Sequence, residues 1–205
     1  MSKGAVAKVN HHRPGEGIVV DVVVTALETV NGLGRATLQA EIATLPVPNK
    51  RYSADVAYLG YSSGTAKLLF GQEKFGGDGE LRTLLIVKMG LSWVRAFVDG
   101  VNKLDLTKPQ GGSKNGIVEE ALPQFPQEPK DTVAFDATMV VAGVNGIDGC
   151  VDFYYSSPFA LERTPASKKL AVDPVVRVNV RAGLLLGMVK GLEDMLQAHA
   201  DEIVN

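Results

Sequence analysis

Asp136, Asp148 and Asp152 fall around one expected hairpin, and Cys150 lies between the last two. Paired carboxylates are the material of acid–base hydrolysis, one accepting a proton while the other donates. A thiolate beside them would be a nucleophile. Such a thiolate needs a base and an electropositive setting. The histidines are His11, His12 and His199, none inside a catalytic signature. Cys150 therefore reads as a small buried strand residue. A small hydrolase using Asp148, Asp152 or Cys150 is kept as an alternative. His11-His12 suggests a metal, but adjacent residues rarely give two ligands to one tetrahedral ion. Gly76-Gly77-Asp78-Gly79-Glu80 lacks the ligand ladder of a calcium loop and reads as a turn. Phosphate-binding, dinucleotide, serine-elbow and zinc-protease motifs do not occur. No catalytic residue, cofactor or metal is expected.

Two further patterns concern contact rather than reaction. Pro123-Gln124-Phe125-Pro126 places an aromatic ring in a proline-stiffened segment. Such segments dock in grooves of partner proteins, although a passive spacer has the same composition. The second pattern is a pair of small-residue stripes: Ser92, Ala96 and Gly100, then Gly183, Gly187 and Gly191. Glycine within a helix costs about 1 kcal/mol against alanine. Close approach of another backbone would offset that cost by dispersion contact. The stripes predict either that the two helices meet face to face or that each lies flat on its own sheet.

The elements that must position these residues follow from periodicity. Ile18 to Thr25 alternates around Asp21 and predicts a strand. Asn31-Gly32 predicts a turn, and Ala36 to Leu45 a second strand. Met1 to Gly17 is expected to be a mobile arm. Strands are expected over Tyr52 to Tyr61, Thr65 to Gln72 and Glu80 to Val87. A helix follows from Gly90 to about Leu104, with Val94, Phe97, Val98 and Val101 on one face. Asp105 to Asp131 is rich in proline and glycine and is expected to be a linker. Strands over Phe135 to Val144, Ile147 to Tyr155 and Val175 to Val180 come next. A closing helix runs from Ala182 to about Ile203.

The second series matches the first. A shift of 83 positions lays Tyr52 on Phe135, Ala54 on Ala137, Gly60 on Gly143 and Phe70 on Phe153. A shift of 91 lays Leu84-Leu85-Ile86-Val87 on Val175-Val176-Arg177-Val178, and stripe on stripe. The change of shift falls in a loop, where insertions cost least. An internal duplication is expected.

Composition narrows the function classes. The chain has 205 residues, 45% of them hydrophobic, enough for a sizeable core. A net charge of -2 gives no basic surface for nucleic acid or anionic membranes. One cysteine cannot form an internal disulfide. Met1 to Pro14 carries no apolar signal-peptide core, and no apolar run reaches membrane-spanning length. A cytoplasmic protein is expected.

Leu68-Leu69-Phe70-Gly71-Gln72, after Tyr52 and before the third strand and helix, resembles a small bacterial family of unknown function. Its members run strand, strand, strand, helix, and the second strand ends in Phe-Gly-Gln. The second half departs from it, with Phe153-Tyr154-Tyr155 at that place. The element order is also similar to the SecB-type export chaperone fold, which implies a holdase or assembly role and helices layered on the sheet.

The reading is an α+β protein of duplicated antiparallel β-β-β-α units with helices packed on the sheets. Residues 18–104 form an N-terminal hairpin plus the first unit, and 132–205 the second. The hairpin extends the first sheet or joins a neighbouring subunit. The function expected is non-catalytic protein binding or assembly, chaperone-like by the resemblance, in a homo-oligomer. Pro123, Phe125 and Pro126 are the candidate partner-binding residues. A structural subunit of a larger or phage-like particle is the alternative.

Overall fold

The computed structural model describes residues 5–11, 20–26, 45–74, 81–102, 122, 123, 125, 128–160 and 171–202, the first two segments by backbone alone. The protein is α+β. In chain order the strands are β1 (Ala5–His11), β2 (Val20–Ala26), β3 (Arg51–Ser53), β4 (Val56–Ser62), β5 (Thr65–Glu73) and β6 (Leu81–Gly90). Helix α1 (Leu91–Val101) follows. Then come β7 (Ala134–Asp136), β8 (Met139–Asn145), β9 (Asp148–Tyr155), β10 (Asp173–Arg181) and α2 (Ala182–Ala198). Among the described residues no helix is long and apolar enough to cross a membrane.

The order short strand, three antiparallel strands, helix occurs in both halves. The halves do not stand side by side as separate units. One sheet runs β1-β2-β8-β9-β10-β3, the other β4-β5-β6-β7. The short strand of each half thus lies in the sheet of the other half. β3 runs parallel to β10, and β7 parallel to β6. The bonds at the two crossings correspond. Ala54 N–H donates to the Asn179 carbonyl, and Ala137 N–H to the Lys88 carbonyl, both at 2.9 Å. Arg177 N–H donates to the Lys50 carbonyl, and Ile86 N–H to the Val133 carbonyl, again at 2.9 Å. The Lys50 ammonium also sits 4.8 Å from the Phe135 ring centroid, linking the two crossings.

This exchange corrects the expectation of single strands over Tyr52 to Tyr61 and Phe135 to Val144. Each breaks in the middle. The core-facing residues are Tyr52 and Ala54, then Ala57 and Leu59; in the second half they are Phe135 and Ala137, then Val140, Ala142 and Val144. A strand keeps one face at intervals of two. The interval of three at each break turns the chain over and sends it to the other sheet.

The N-terminal expectations change too. Ala5–His11, read as part of a mobile arm, forms β1, antiparallel to β2. β2 pairs with β8 from Asp21–Val144 to Thr25–Val140, so the hairpin extends the sheet of the second half, not the first. The expected turn at Asn31-Gly32, most of the strand over Ala36 to Leu45, and the turn at Gly76 to Gly79 lie outside the described residues.

One core serves both sheets. Ala66, Leu68 and Phe70 of β5, Leu85, Val87 and Met89 of β6, Val151 and Phe153 of β9, and Val176 and Val178 of β10 all belong to it. Phe70 and Phe153, matched by the shift of 83, meet edge to face at 6.0 Å between centroids, a contact of about 0.5–1.5 kcal/mol beyond burial. The helices touch each other, and each touches strands of both sheets.

Candidate functional site: the β4 edge and its belt

The described part of the linker runs along the side of β4 away from β5. Leu122 lies on the core side, against Leu59 and the helix glycine Gly191. At the edge, Leu59 N–H donates to the Pro123 carbonyl at 3.1 Å. The Phe125 ring then covers Gly60 from the outer face of the sheet: a Cβ on Gly60 would stand 2.5 Å from Phe125 Cζ. A side chain at position 60 would force that ring to move. Glu128 continues across the same face. It bridges Lys67 of β5 and Lys88 of β6, the latter at 3.8 Å. Gly60, Lys67 and Lys88 are register partners in one row across three strands. The belt ends where Thr132 Oγ1 donates to Thr83 Oγ1 at 2.9 Å and β7 joins β6.

The electrostatics favour the belt. Lys67 and Lys88 stand directly opposite each other on neighbouring strands, an arrangement that like charges destabilise. Glu128 lies between them, and its hydrogen bond with Lys67, with the two lysine charges, holds its carboxyl below the usual glutamate value against a desolvation effect that raises it. In the second half the equivalent pair is Cys150 and Asn179, also in register but uncharged. At this place in the two halves only the β4 sheet carries a basic pair.

Pro123 and Phe125, singled out in the sequence as partner-binding, therefore contact this chain itself, and Phe125 is half-buried. Pro126 lies outside the described residues. The small-residue stripes serve mixed purposes. Gly183, Gly187 and Ala96 are buried. Ser92 is exposed, so it belongs to no packing seam. Gly100 is helical, and its surroundings lie outside the described residues. Gly191 faces Leu122 and Leu59 at 3.2 and 3.5 Å from its would-be Cβ. It thus admits the belt and a strand of the other half, not a helix partner or its own sheet.

The aspartates and the cysteine do not form the arrangement a hydrolase pair requires. Asp148 and Asp152 lie four residues apart on β9, about 13 Å along a strand. Asp136 and Asp148 are exposed. Asp152 is only 5% exposed, on the outer face. It accepts two hydrogen bonds from Arg177, from Nε and Nη2, both at 2.6 Å. That bidentate grip raises the Arg177 pKa further above its ordinary value. Tyr154 donates weakly to Asp152 at 3.4 Å, and burial followed by the Asp152 charge raises its phenol pKa. Burial, then Asp152, raises the Cys150 thiol above 9.0, the opposite of what a nucleophile needs. His199 stacks on Tyr61 at 3.8 Å. The side chains of His11 and His12 are outside the described residues. Among the described residues no group of three metal-binding side chains occurs.

Phe70-Gly71-Gln72, which carried the family resemblance, has a local explanation. Phe70 enters the core. Gly71 makes room for Leu81, whose Cδ1 would stand 2.6 Å from a Cβ there. Gln72 Nε2 donates to the Ser53 carbonyl at 2.8 Å and steadies the crossing strand β3. No protein-family model, no curated protein and no solved structure matches the chain.

Proposed function

We propose that the protein is a non-catalytic binding or assembly protein that works through the edge of β4. The observation that supports this most is an asymmetry between equivalent edges. The β8 edge carries a paired strand from Asp21 to Thr25. Among the described residues the β4 edge carries one backbone bond, at Leu59, from a proline-rich belt. Proline cannot donate to a ladder, so Pro123 cannot return the bond it accepts from Leu59, and an extended segment that donates as well as accepts would pair there more completely. The same reading treats the halves as copies of one module, supported by the matched bonds at the two crossings, and expects a small oligomer.

A photoreactive amino acid replacing Tyr58, on the outer face of β4, tests the reading in cells. Adducts joining this position to another polypeptide or to a second copy are expected, and they should disappear when Gly60→Lys blocks the face. Adducts confined to the chain's own belt would overturn it. Discrete small assemblies in light scattering fit this function, whereas open-ended particles would favour a structural subunit.

A further inference from the structure

The two halves cover equivalent edges by different means. Ala142 of β8, the counterpart of Leu59 under the shift of 83, pairs with Val23 of β2 inside an antiparallel ladder. Leu59 of β4 instead meets the belt. We propose that the belt is an autoinhibitory strap: by holding the β4 edge itself, it limits antiparallel pairing of β4 with the β4 of a second copy of this chain. The inference goes beyond the function proposed above and does not rest on it, since the strap acts within the chain whether or not another protein binds.

The first support is the strand itself. β4 reads Val-Ala-Tyr-Leu-Gly-Tyr-Ser, with neither charge nor proline. A segment of this kind pairs with other chains when its edge is bare, and it has no lysine of its own to prevent that. β8 reads Met-Val-Val-Ala-Gly-Val-Asn, equally uncharged, and it too is covered. The second support is the cover, anchored at three points of different chemistry. The Pro123 carbonyl takes the Leu59 N–H, the Phe125 ring lies over Gly60, and Glu128 bridges Lys67 and Lys88. The last two anchors act through side chains, so the grip does not depend on strand pairing. The third is the proline, which satisfies the edge donor without offering a donor in return. Two β4 strands laid antiparallel are self-complementary about a two-fold axis, so copies released from the strap would join as dimers.

The test uses the full chain. Phe125→Ala with Glu128→Ala removes both side-chain anchors and leaves β4 unaltered. Its molar mass, followed by light scattering over a dilution series, should rise to twice the parent's, with a midpoint concentration at least about ten-fold below any the parent shows. Hydrogen exchange at the Leu59 amide should be faster than in the parent when the variant is dilute, and should slow again as copies pair. Tyr58→Lys, which puts a charge on the outer face of β4, should abolish the association. Phe125→Ala alone should shift the same readings by less, and it serves where the double variant does not fold. A folded double variant with the parent's mass at every concentration overturns the proposal, as does association that leaves Leu59 exchange unchanged. Unfolding of both variants also overturns it, because the belt is then part of the fold rather than a strap upon it. The cross-links from position 58 report what the parent meets in cells, so either measurement can fail while the other stands.

Discussion

At the scale of single residues, the two halves supply a controlled comparison. Asp152 and Arg177 occupy the places held by Leu69 and Ile86 in the first half, and both couples are register partners. A buried ion pair is often no more stable than an apolar pair of similar volume, yet removing one partner strands a charge. Arg177→Ile alone should lower the unfolding free energy by about 3–5 kcal/mol. Adding Asp152→Leu recreates the first half's couple and should restore the parent stability or exceed it, read from urea midpoints. Cys150 offers a second check. Its raised thiol pKa means that iodoacetamide at pH 8 should label the native protein more slowly than the unfolded chain. The sequence identified Asp152 and Cys150 as chemical residues but not their partner. Arg177 reaches Asp152 only through strand pairing, which spacing along the chain does not reveal.

At the scale of elements, most strands and both helices were legible from alternation and from the helical stripe. Their destinations were not. Nothing but a slipped phase, three positions from Ala54 to Ala57 and from Ala137 to Val140, marks where each strand changes sheet. No glycine or proline stands at either break, so the usual punctuation was missing. The belt was half-legible: Phe125 stood out, but its docking place on Gly60 depends on tertiary approach. The belt should respond to pH. Glu128 has a depressed folded pKa, so its contribution is complete above 4.5 and fades as pH falls through the lowered value. Hydrogen exchange at the Leu59 amide, corrected for intrinsic rate, should lose protection in that acid window. Glu128→Gln should make the protection independent of pH there. Gly191→Leu should evict Leu122 and expose the segment around Gln124 to protease at neutral pH.

At the scale of the molecule, reciprocal exchange of β3 and β7 makes each half complete the other. The backbone bonds between halves at the crossings have counterparts running the opposite way, as in a dimer with a two-fold interface. Residues 45–102 prepared alone should therefore dimerise. β3 of one copy would pair with β6 of the other, and the two Phe70 rings would meet as Phe70 and Phe153 do. Light scattering should report twice the fragment mass, and a folded monomer would refute the relation between halves. The intact chain should unfold in one cooperative transition by calorimetry, because neither sheet closes without a strand from the other half.

The exchange also carries a consequence for biosynthesis. β3 is made early, at residues 51–53, but its ladder partner among the described residues is β10 at 173–181. At about 5–20 residues per second, roughly 6–24 s separate their emergence from the ribosome. During that interval the nascent first half holds a waiting strand and an uncapped β6. Translation speed through the intervening codons thus becomes a determinant of yield, and slowing it lengthens the period in which neighbouring nascent chains can take the vacant place.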